Sequence, residues 1–501
     1  MSTTIANARI PGDRGLLGSI VNIHINDAGK ISDIEFVGST TAITIPARRS
    51  EGASVDAEII DAGGRYVIPG LWDNHTHFTN WALTLTQADV SHIESAADMA
   101  DFVGRWMRDH DGDLIGRDFR PSQWSERPHF AILDAVTGDR SVALISADRH
   151  SVWLNTAGLK KYGYDNHVDG YLVEYDAFRV EIAIHDSNQP EHDAAVLHAA
   201  QLAAARGVVG IVDLEFAWTL DSWRRRIAAG NDLLRVDANV YTEDLDRAIE
   251  AGLRTGDVIA STHGLLRFGR HKIISDGALG SRTAYCFHAY SGMSGPGAHG
   301  ILNIAPSDLV PLMAKTWDAG IELAVHAIGD HANAIALDSF QKVKARGTIE
   351  HAQQLTHADA VRLAKSGIVA SMQPEHAMDD RDAAEDLWAG HHDFCFPHRT
   401  ILDNGGILAF GSDAPVAPLD PWFAIASAVH RSRDGREPWH PEQRISAQEA
   451  LDASTRTRIA VGEVADLVLI ESDPLDADVE TLRMMEVSAT FIAGRPTFLA
   501  L

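Results

Sequence analysis

Two histidines stand at alternate positions, His75 and His77, directly after the apolar run YVIPGLWDN. On an extended chain, alternate side chains point to the same side, so both rings face one cavity. Two imidazoles that converge in this way suit a divalent metal ion. The alternative interpretation is a pair of histidines whose ring nitrogens are hydrogen-bonded within a loop.

Four more residues with the chemistry of metal ligands stand at or just beyond the ends of later apolar runs: Lys272, His326, His351 and Asp413. A charged group buried in such a run is costly unless it is paired or bound to a metal. Taken singly, each has a plainer explanation: an edge-strand lysine, two core histidines, and an aspartate that caps the next helix. Their recurrence in order along the chain favours a shared metal site.

The middle of the chain, from about residue 65 to 455, alternates apolar strand-like runs with Ala- and Leu-rich helical stretches. Nearly continuous apolar strands indicate a buried parallel sheet. Eight of them predict a (β/α)8 TIM barrel, which would bring the six residues above to its catalytic end. A doubly wound open sheet is the alternative, but no Gly-rich phosphate loop follows the first strand. The eight runs are YVIPGLWDN, VVGIVDLEF, LRVDANVY, HKIISDG, ELAVHAIG, GTIEHAQQ, IVASMQPEH and ILAFGSDAP.

The two ends of the chain resemble each other in their short alternating strands and turns. We therefore expect a small β-sandwich domain built from residues 1–62 and 456–501, with the barrel domain, 63–455, inserted between them. The stretch from about 80 to 205 is too long for one crossover. It is interpreted as an insertion at the catalytic end, and it contains the ninth strand-like run, SVALISAD.

Composition narrows the class of protein. The chain has 501 residues, 45% of them hydrophobic, and a formal net charge of −27. This charge argues against nucleic acid or an anionic membrane surface as a partner. Two cysteines cannot form a disulfide framework, and no signal or membrane-spanning run is visible, so we expect a cytoplasmic protein. A homodimer is the expected oligomeric state, only because homodimers are the commonest assemblies.

The chain resembles the amidohydrolase superfamily, and specifically amidohydrolase family 3, which includes N-substituted formamide deformylases and other metal-dependent hydrolases. The resemblance covers nearly the whole chain. Its most specific parts are the motifs at the first and eighth strands, and the matching stretches are GGRYVIPGLWDNHTH, DRHSVWLNTAGL, GIVDLE, KIISDGALGSRTA, AVHAIGDHAN, IEHAQQ, MQPEH, GSDAPVAPLDPW, ISAQEAL and VADLVLIESDPL.

The resemblance implies a divalent metal site, most often zinc, and an activity. The implied ligands are His75, His77, His326, His351 and Asp413, and in many binuclear relatives the lysine that matches Lys272 is carbamylated and bridges two ions. A mononuclear site with an unmodified Lys272 is the alternative. The implied reaction is hydrolysis of a non-peptide C–N bond in an amide, formamide or N-acyl amine by a metal-activated hydroxide. Asp413 would accept the proton of the water and pass it to the leaving amine.

Three residues are expected to contact a small-molecule substrate: Asp276, Arg282 and His376. Arg282 could hold a substrate carboxylate as a bidentate fork. Alternatively, Asp276 and Arg282 pair with each other and brace their loop.

Other functions remain as alternatives. A mononuclear deaminase would attack a cyclic C=N carbon, but such enzymes use a glutamate near the fifth strand, and none follows His326 in AIGD. Ester or lactone hydrolysis would use the same site. A non-catalytic binding protein on this fold is disfavoured, because all six expected positions carry a ligand-type residue.

Overall fold

The chain folds around an eight-stranded parallel barrel, which confirms the predicted fold class. The computed structural model describes residues 2–12, 20–37, 58–121, 124–184 and 190–501. Neighbouring barrel strands pair in parallel in the order of the chain. These strands are β6 (Leu71–Thr76), β12 (Val208–Asp213), β13 (Arg235–Val240), β14 (Leu266–Ile274), β15 (Leu323–Ala327), β16 (Gly347–His351), β17 (Val369–Met372) and β18 (Ile407–Phe410).

Helices follow the barrel strands and cover the barrel from outside. Their apolar faces and those of the strands form two large buried clusters, one centred on β14 to β18 and one on β6, β12 and β13. The stretch HADAVRLAKSG forms one of these helices, which ends at Gly367, where φ is +77°. In the barrel these helices are α6 (Asp193–Ala204), α7 (Leu220–Ala228), α8 (Thr242–Glu250), α9 (Pro306–Asp318), α10 (Asp330–Val343), α11 (His357–Ser366), α12 (His376–Asp379), α13 (Arg381–Leu387), α14 (His398–Asp403), α15 (Pro421–His430) and α16 (Ala447–Ala453).

Strands from both ends of the chain form one separate eight-stranded sheet, in agreement with the predicted β domain. The N-terminal strand β5 (Tyr66–Pro69) pairs antiparallel with the C-terminal strand β19 (Leu467–Ile470), and this pairing joins the two halves. The chain passes from this sheet to the barrel at Gly70, between β5 and β6. The strands are β1 (Thr3–Arg9), β2 (Ile20–Ile25), β3 (Ile31–Val37), β4 (Glu58–Asp61), β5 (Tyr66–Pro69), β19 (Leu467–Ile470), β20 (Val487–Ile492) and β21 (Arg495–Leu499), with helix α17 (Val479–Arg483) between β19 and β20.

The long connection between β6 and β12 carries a third, five-stranded sheet of its own. SVALISAD supplies its central strand, so this run lies outside the barrel. Its elements are α1 (Phe78–Thr84), β7 (Ala88–Asp89), α2 (Ala96–Asp109), β8 (Leu114–Phe119), α3 (Phe130–Thr137), β9 (Val142–Ser146), β10 (Ser151–Leu154), α4 (Thr156–Tyr162), β11 (Tyr171–Val173) and α5 (Tyr175–Ile184).

Among the described residues, no helix has both the length and the apolar character needed to cross a bilayer. Cys286 and Cys395 are both free and buried.

Candidate metal centre

Backbone hydrogen bonds between the first and last barrel strands bring three predicted ligands together. Asp413 N donates to His75 O at 2.7 Å, and His77 N donates to Ala414 O at 2.8 Å. A Cβ atom at Gly411 would lie 2.5 Å from His75 N, so only glycine permits this approach. As a result, Asp413 Oδ1 lies 3.4 Å from Nε2 of both His75 and His77.

The other predicted ligands enter the same cavity from β14, β15 and β16. Lys272 is 2% exposed, and its Nζ lies 3.4 Å from His75 Nε2. The ring centroid of His351 lies 4.9 Å from that of His75 and 4.5 Å from that of His326. The structure therefore collects all six residues in one cavity at the carboxyl ends of the barrel strands.

A buried carboxylate orients the first of these histidines. His75 Nδ1 donates to Glu350 Oε2 at 2.7 Å, because a carboxylate oxygen accepts. Burial and the nearby Lys272 lower the pKa of His75 to about 4, so its ring is neutral. Burial alone would raise the pKa of Glu350, but its hydrogen bond with His75 and the nearby charge of Lys272 lower it to about 2. A neutral ring that donates through Nδ1 leaves Nε2 as the nitrogen able to bind a metal ion.

Two of the predicted ligands adopt left-handed backbone conformations. The φ angle is +72° at His351 and +58° at Asp413. Such angles cost about 1 kcal/mol or more for residues other than glycine and tend to occur at functional sites.

Burial would raise the pKa of Asp413, but the adjacent His75, His77 and His351 hold it well below its usual range. Asp413 is therefore an anion in the middle of the cavity.

The donor atoms at this cavity fit a divalent ion. Two groups of three residues each place one nitrogen or oxygen ligand atom within 4.8 Å of the others, and Asp413 belongs to both: His75, His77 and Asp413, and His351, His376 and Asp413. Buried nitrogens of three of these histidines have no hydrogen-bond partner in the described structure, namely His77 Nδ1, His351 Nδ1 and His376 Nε2. Imidazole and carboxylate together suit zinc and similar ions.

The three predicted substrate contacts have different positions. His376 lines the part of the cavity that adjoins His351 and Asp413, and its ring is stacked 6.2 Å from that of His351. Asp276 is fully buried, accepts hydrogen bonds from Ile328 N and Gly329 N, and lies 3.4 Å from His326 Nε2. Its position is that of a group that braces loops and orients His326.

Arg282 does not fit its predicted role. Its side chain is exposed, and it is absent from the described lining of the cavity. The alternative prediction also fails, because no ion pair joins Arg282 to Asp276 among the described contacts. Arg282 lies in a tight turn, in which its N donates to Leu279 O at 2.9 Å and its φ is +59°.

The insertion forms one wall of the cavity, and the residues of this wall were given no role in the predictions from the sequence. Asp148, Arg149 and His150 line the cavity, and they belong to the motif DRHSVWLNTAGL. Burial opposes a charge on His150, yet Glu174, whose Oε2 lies 3.0 Å from Nδ1, raises the pKa of His150 to about 9. The wall therefore carries a cationic imidazole. Trp153 of the same motif packs in the core of the insertion.

Two aromatic side chains just beyond the ends of the second and third barrel strands also line the cavity, and they were not predicted from the sequence. Phe216 follows β12 and Tyr241 follows β13, and both line the cavity, where their rings stack 4.7 Å apart. The rule that identified the metal ligands, a functional side chain just beyond a strand's end, applies equally to these aromatic residues.

Comparison with known proteins agrees with this geometry. Residues 58–498 match the model of the amidohydrolase family. The putative amidohydrolase YtcJ of Bacillus subtilis is 27% identical, and the N-substituted formamide deformylase of Arthrobacter pascens is 26% identical; each match covers 88% of this chain and 90% of the relative.

A solved structure, that of an uncharacterized metal-dependent hydrolase from Pyrococcus horikoshii OT3, shares the fold with a TM-score of 0.75 at 22% identity. The match covers 96% of this chain and 99% of the other. The family match across most of the chain is decisive and confirms the resemblance inferred from the motifs. The chain belongs to the amidohydrolase family, the hydrolases of carbon–nitrogen bonds.

Proposed function

We propose that this protein hydrolyses the C–N bond of a small amide, formamide or N-acyl amine with the help of one or two divalent ions, zinc being the first choice. The observation that carries the proposal is the convergence of four histidines, Lys272 and Asp413 on one buried cavity. The formamide deformylase among the relatives supports the choice of bond.

His75, His77 and Asp413 would hold one ion, and His351 and His376 offer ligand atoms for a second around the same Asp413. When bound, such an ion lowers the pKa of water towards neutrality and polarises a carbonyl oxygen. Because Asp413 belongs to both groups of ligand atoms, the binuclear site is the preferred form. Lys272, buried beside His75, is then the residue to be carbamylated.

The chain's own residues supply the proton transfers and the positioning. Asp413 accepts a proton from the attacking water and returns it to the leaving nitrogen, which departs as an amine. His150, held as a cation by Glu174, stabilises negative charge that develops on the substrate oxygen. The stacked Phe216 and Tyr241 offer an apolar wall to the rest of the substrate.

The proposal is tested by measuring three products in parallel on metal-loaded protein. Free amine released from a panel of amides, N-substituted formamides and N-acyl amines is the expected product. Release of ammonia from cyclic C=N substrates would instead identify a deaminase, and acid released only from esters or lactones would identify an esterase. Removal of metal with a chelator should abolish turnover, and added Zn²⁺ should restore it. Turnover that survives complete metal removal would contradict the proposal.

The binuclear form is tested by Lys272→Ala. The expected result is a loss of about one metal ion per chain and a large loss of turnover, because a bridging ligand is gone. Lys342→Ala, on the exposed surface of α10, is the matched control and should change neither. Unchanged metal content in Lys272→Ala would favour the mononuclear alternative with an unmodified lysine.

A further inference from the structure

A second group of ligating side chains lies outside the catalytic cavity. Cys286 and His288 belong to the long loop between β14 and α9, and Asp330 is the first residue of α10. One ligand atom from each, the thiol sulfur, a ring nitrogen and a carboxylate oxygen, lies within 4.8 Å of the other two. None of the three is among the described residues that line the catalytic cavity.

One ring nitrogen of His288 is buried and has no partner among the described residues. Its ring is stacked face to face on His391, with centroids 4.1 Å apart and planes 8° from parallel. The edge of Trp388 also packs near it, at 6.5 Å between centroids. The ring is thus fixed in place, yet His288 Nε2 is buried and has no hydrogen-bond partner in the described structure. A bound metal ion would give such a buried nitrogen a partner.

The backbone holds the other two ligands in place. Cys286 N donates to His299 O at 2.9 Å, and Phe287 N donates to Asp330 Oδ1 at 2.9 Å. Cys286 Sγ itself has only weak polar contacts, at 3.4 Å to Gln354 Oε1 and 3.5 Å to Ala284 O. The thiol is therefore positioned by its neighbours without being engaged in a strong hydrogen bond of its own.

We propose that Cys286, His288 and Asp330 form a second metal site, which takes a divalent ion of the zinc class. A thiolate, a neutral imidazole and a carboxylate are a ligand set typical of zinc, and the two negative ligands balance the charge of the ion. When the ion binds, the thiol proton of Cys286 is released to solvent and a metal–sulfur bond forms.

The bound ion fastens the loop after β14 to the start of α10. The same loop carries Asp276, whose carboxylate lies beside His326, so the site would fix the outer support of the catalytic cavity. It would act as a structural site, since its ligands lie away from the cavity.

Cobalt substitution tests the proposal directly, because Co²⁺ bound to a thiolate absorbs in the near ultraviolet. None of the ligands assigned to the catalytic cavity is a cysteine, so this absorption reports only on the second site. We would produce the full-length protein with Co²⁺ in place of Zn²⁺ and record its spectrum and its cobalt content. The wild type should show the thiolate band. Cys286→Ser should lose the band and about one cobalt per chain.

Three further variants make the result specific. Cys395→Ser, which removes the other buried thiol, should keep the band and the cobalt content. His288→Gln should weaken the band, and Lys272→Ala should leave it unchanged while about one cobalt per chain is lost from the catalytic cavity. Absence of the band from cobalt-loaded wild type, or its persistence in Cys286→Ser, would overturn the proposal. Either result would leave the proposed catalytic function standing.

Discussion

The two groups of ligating side chains differ in what positions them. His75, Lys272, His326 and His351 lie on barrel strands, and Asp413 follows β18, so each is placed by parallel sheet pairing. Cys286 and His288 lie on a long loop and meet Asp330 through a few backbone hydrogen bonds.

The difference explains which site could be recognised from the sequence. A ligand at the end of a strand has a position that follows from the sheet, and several such ligands must converge in a closed barrel. Ligands on a loop converge only if the loop adopts one particular path. The comparison therefore predicts large functional effects for changes at the strand ends and smaller, structural effects elsewhere.

The largest effect is expected at Asp413. Replacing it with Asn removes the group that accepts and returns the proton, so kcat should fall about a thousandfold. Some metal should stay bound through the histidines. The metal content and kcat, measured on the same preparation, check these two expectations. Asp386→Asn, on the exposed surface of α13, is the control. Activity within a few-fold of wild type in Asp413→Asn would exclude its role.

A smaller effect is expected from Glu350, which contacts His75 and is not among the described residues that line the cavity. Glu350→Gln keeps the shape and removes the charge that orients the ring, so metal affinity should fall about tenfold to a hundredfold. Competition with a chelator measures this affinity. At saturating metal most of the turnover should return, which a direct catalytic role would not allow. Glu480→Gln on the surface should have no effect.

Gly411 tests how closely the first and last strands must approach. A Cβ at this position would lie 2.5 Å from His75 N, so Gly411→Ala should lower the free energy of unfolding by about 1–3 kcal/mol and reduce metal content. In Gly104→Ala, on helix α2, the added Cβ would meet nothing closer than 3.4 Å, so stability should rise slightly through helix propensity. Urea unfolding of both variants gives the comparison; equal effects would refute it.

The smallest effect concerns a buried histidine that belongs to neither group of candidate metal ligands. His398 is fully buried, both ring nitrogens lack partners in the described structure, and burial together with Arg431 holds its pKa well below 6.5. The unfolded chain binds a proton near pH 6.5 and the folded chain does not. This residue should therefore cost the protein up to about 1.4 kcal/mol of stability per pH unit as the pH falls below that value.

Urea unfolding at several pH values, with wild type and His398→Leu compared, measures this cost. The difference in stability between them should change in favour of the variant as the pH falls. His198→Leu, on the exposed face of α6, should follow the wild type. Parallel pH profiles for wild type and His398→Leu would mean that His398 titrates normally in the folded state.

The sequence was sufficient for the barrel because its strand pattern is local and repeated. The positions of the six predicted ligands followed from the ends of those strands. The place of Arg282 could not be predicted, because it depends on a turn with a positive φ that no residue pattern in the loop indicates. The wall formed by Asp148, Arg149 and His150 was missed for a related reason. It depends on how the sheet of the insertion packs over the barrel.

The metal centre at the ends of the barrel strands is tested most directly by the metal content of protein purified without chelators, measured by inductively coupled plasma mass spectrometry. We expect His75→Ala combined with His77→Ala to lower the number of divalent ions per chain, while the ion assigned to Cys286, His288 and Asp330 stays bound. Restoring those two histidines should restore both the metal content and the turnover. Equal metal content in the wild type and the double variant would contradict a metal centre at the ends of the barrel strands.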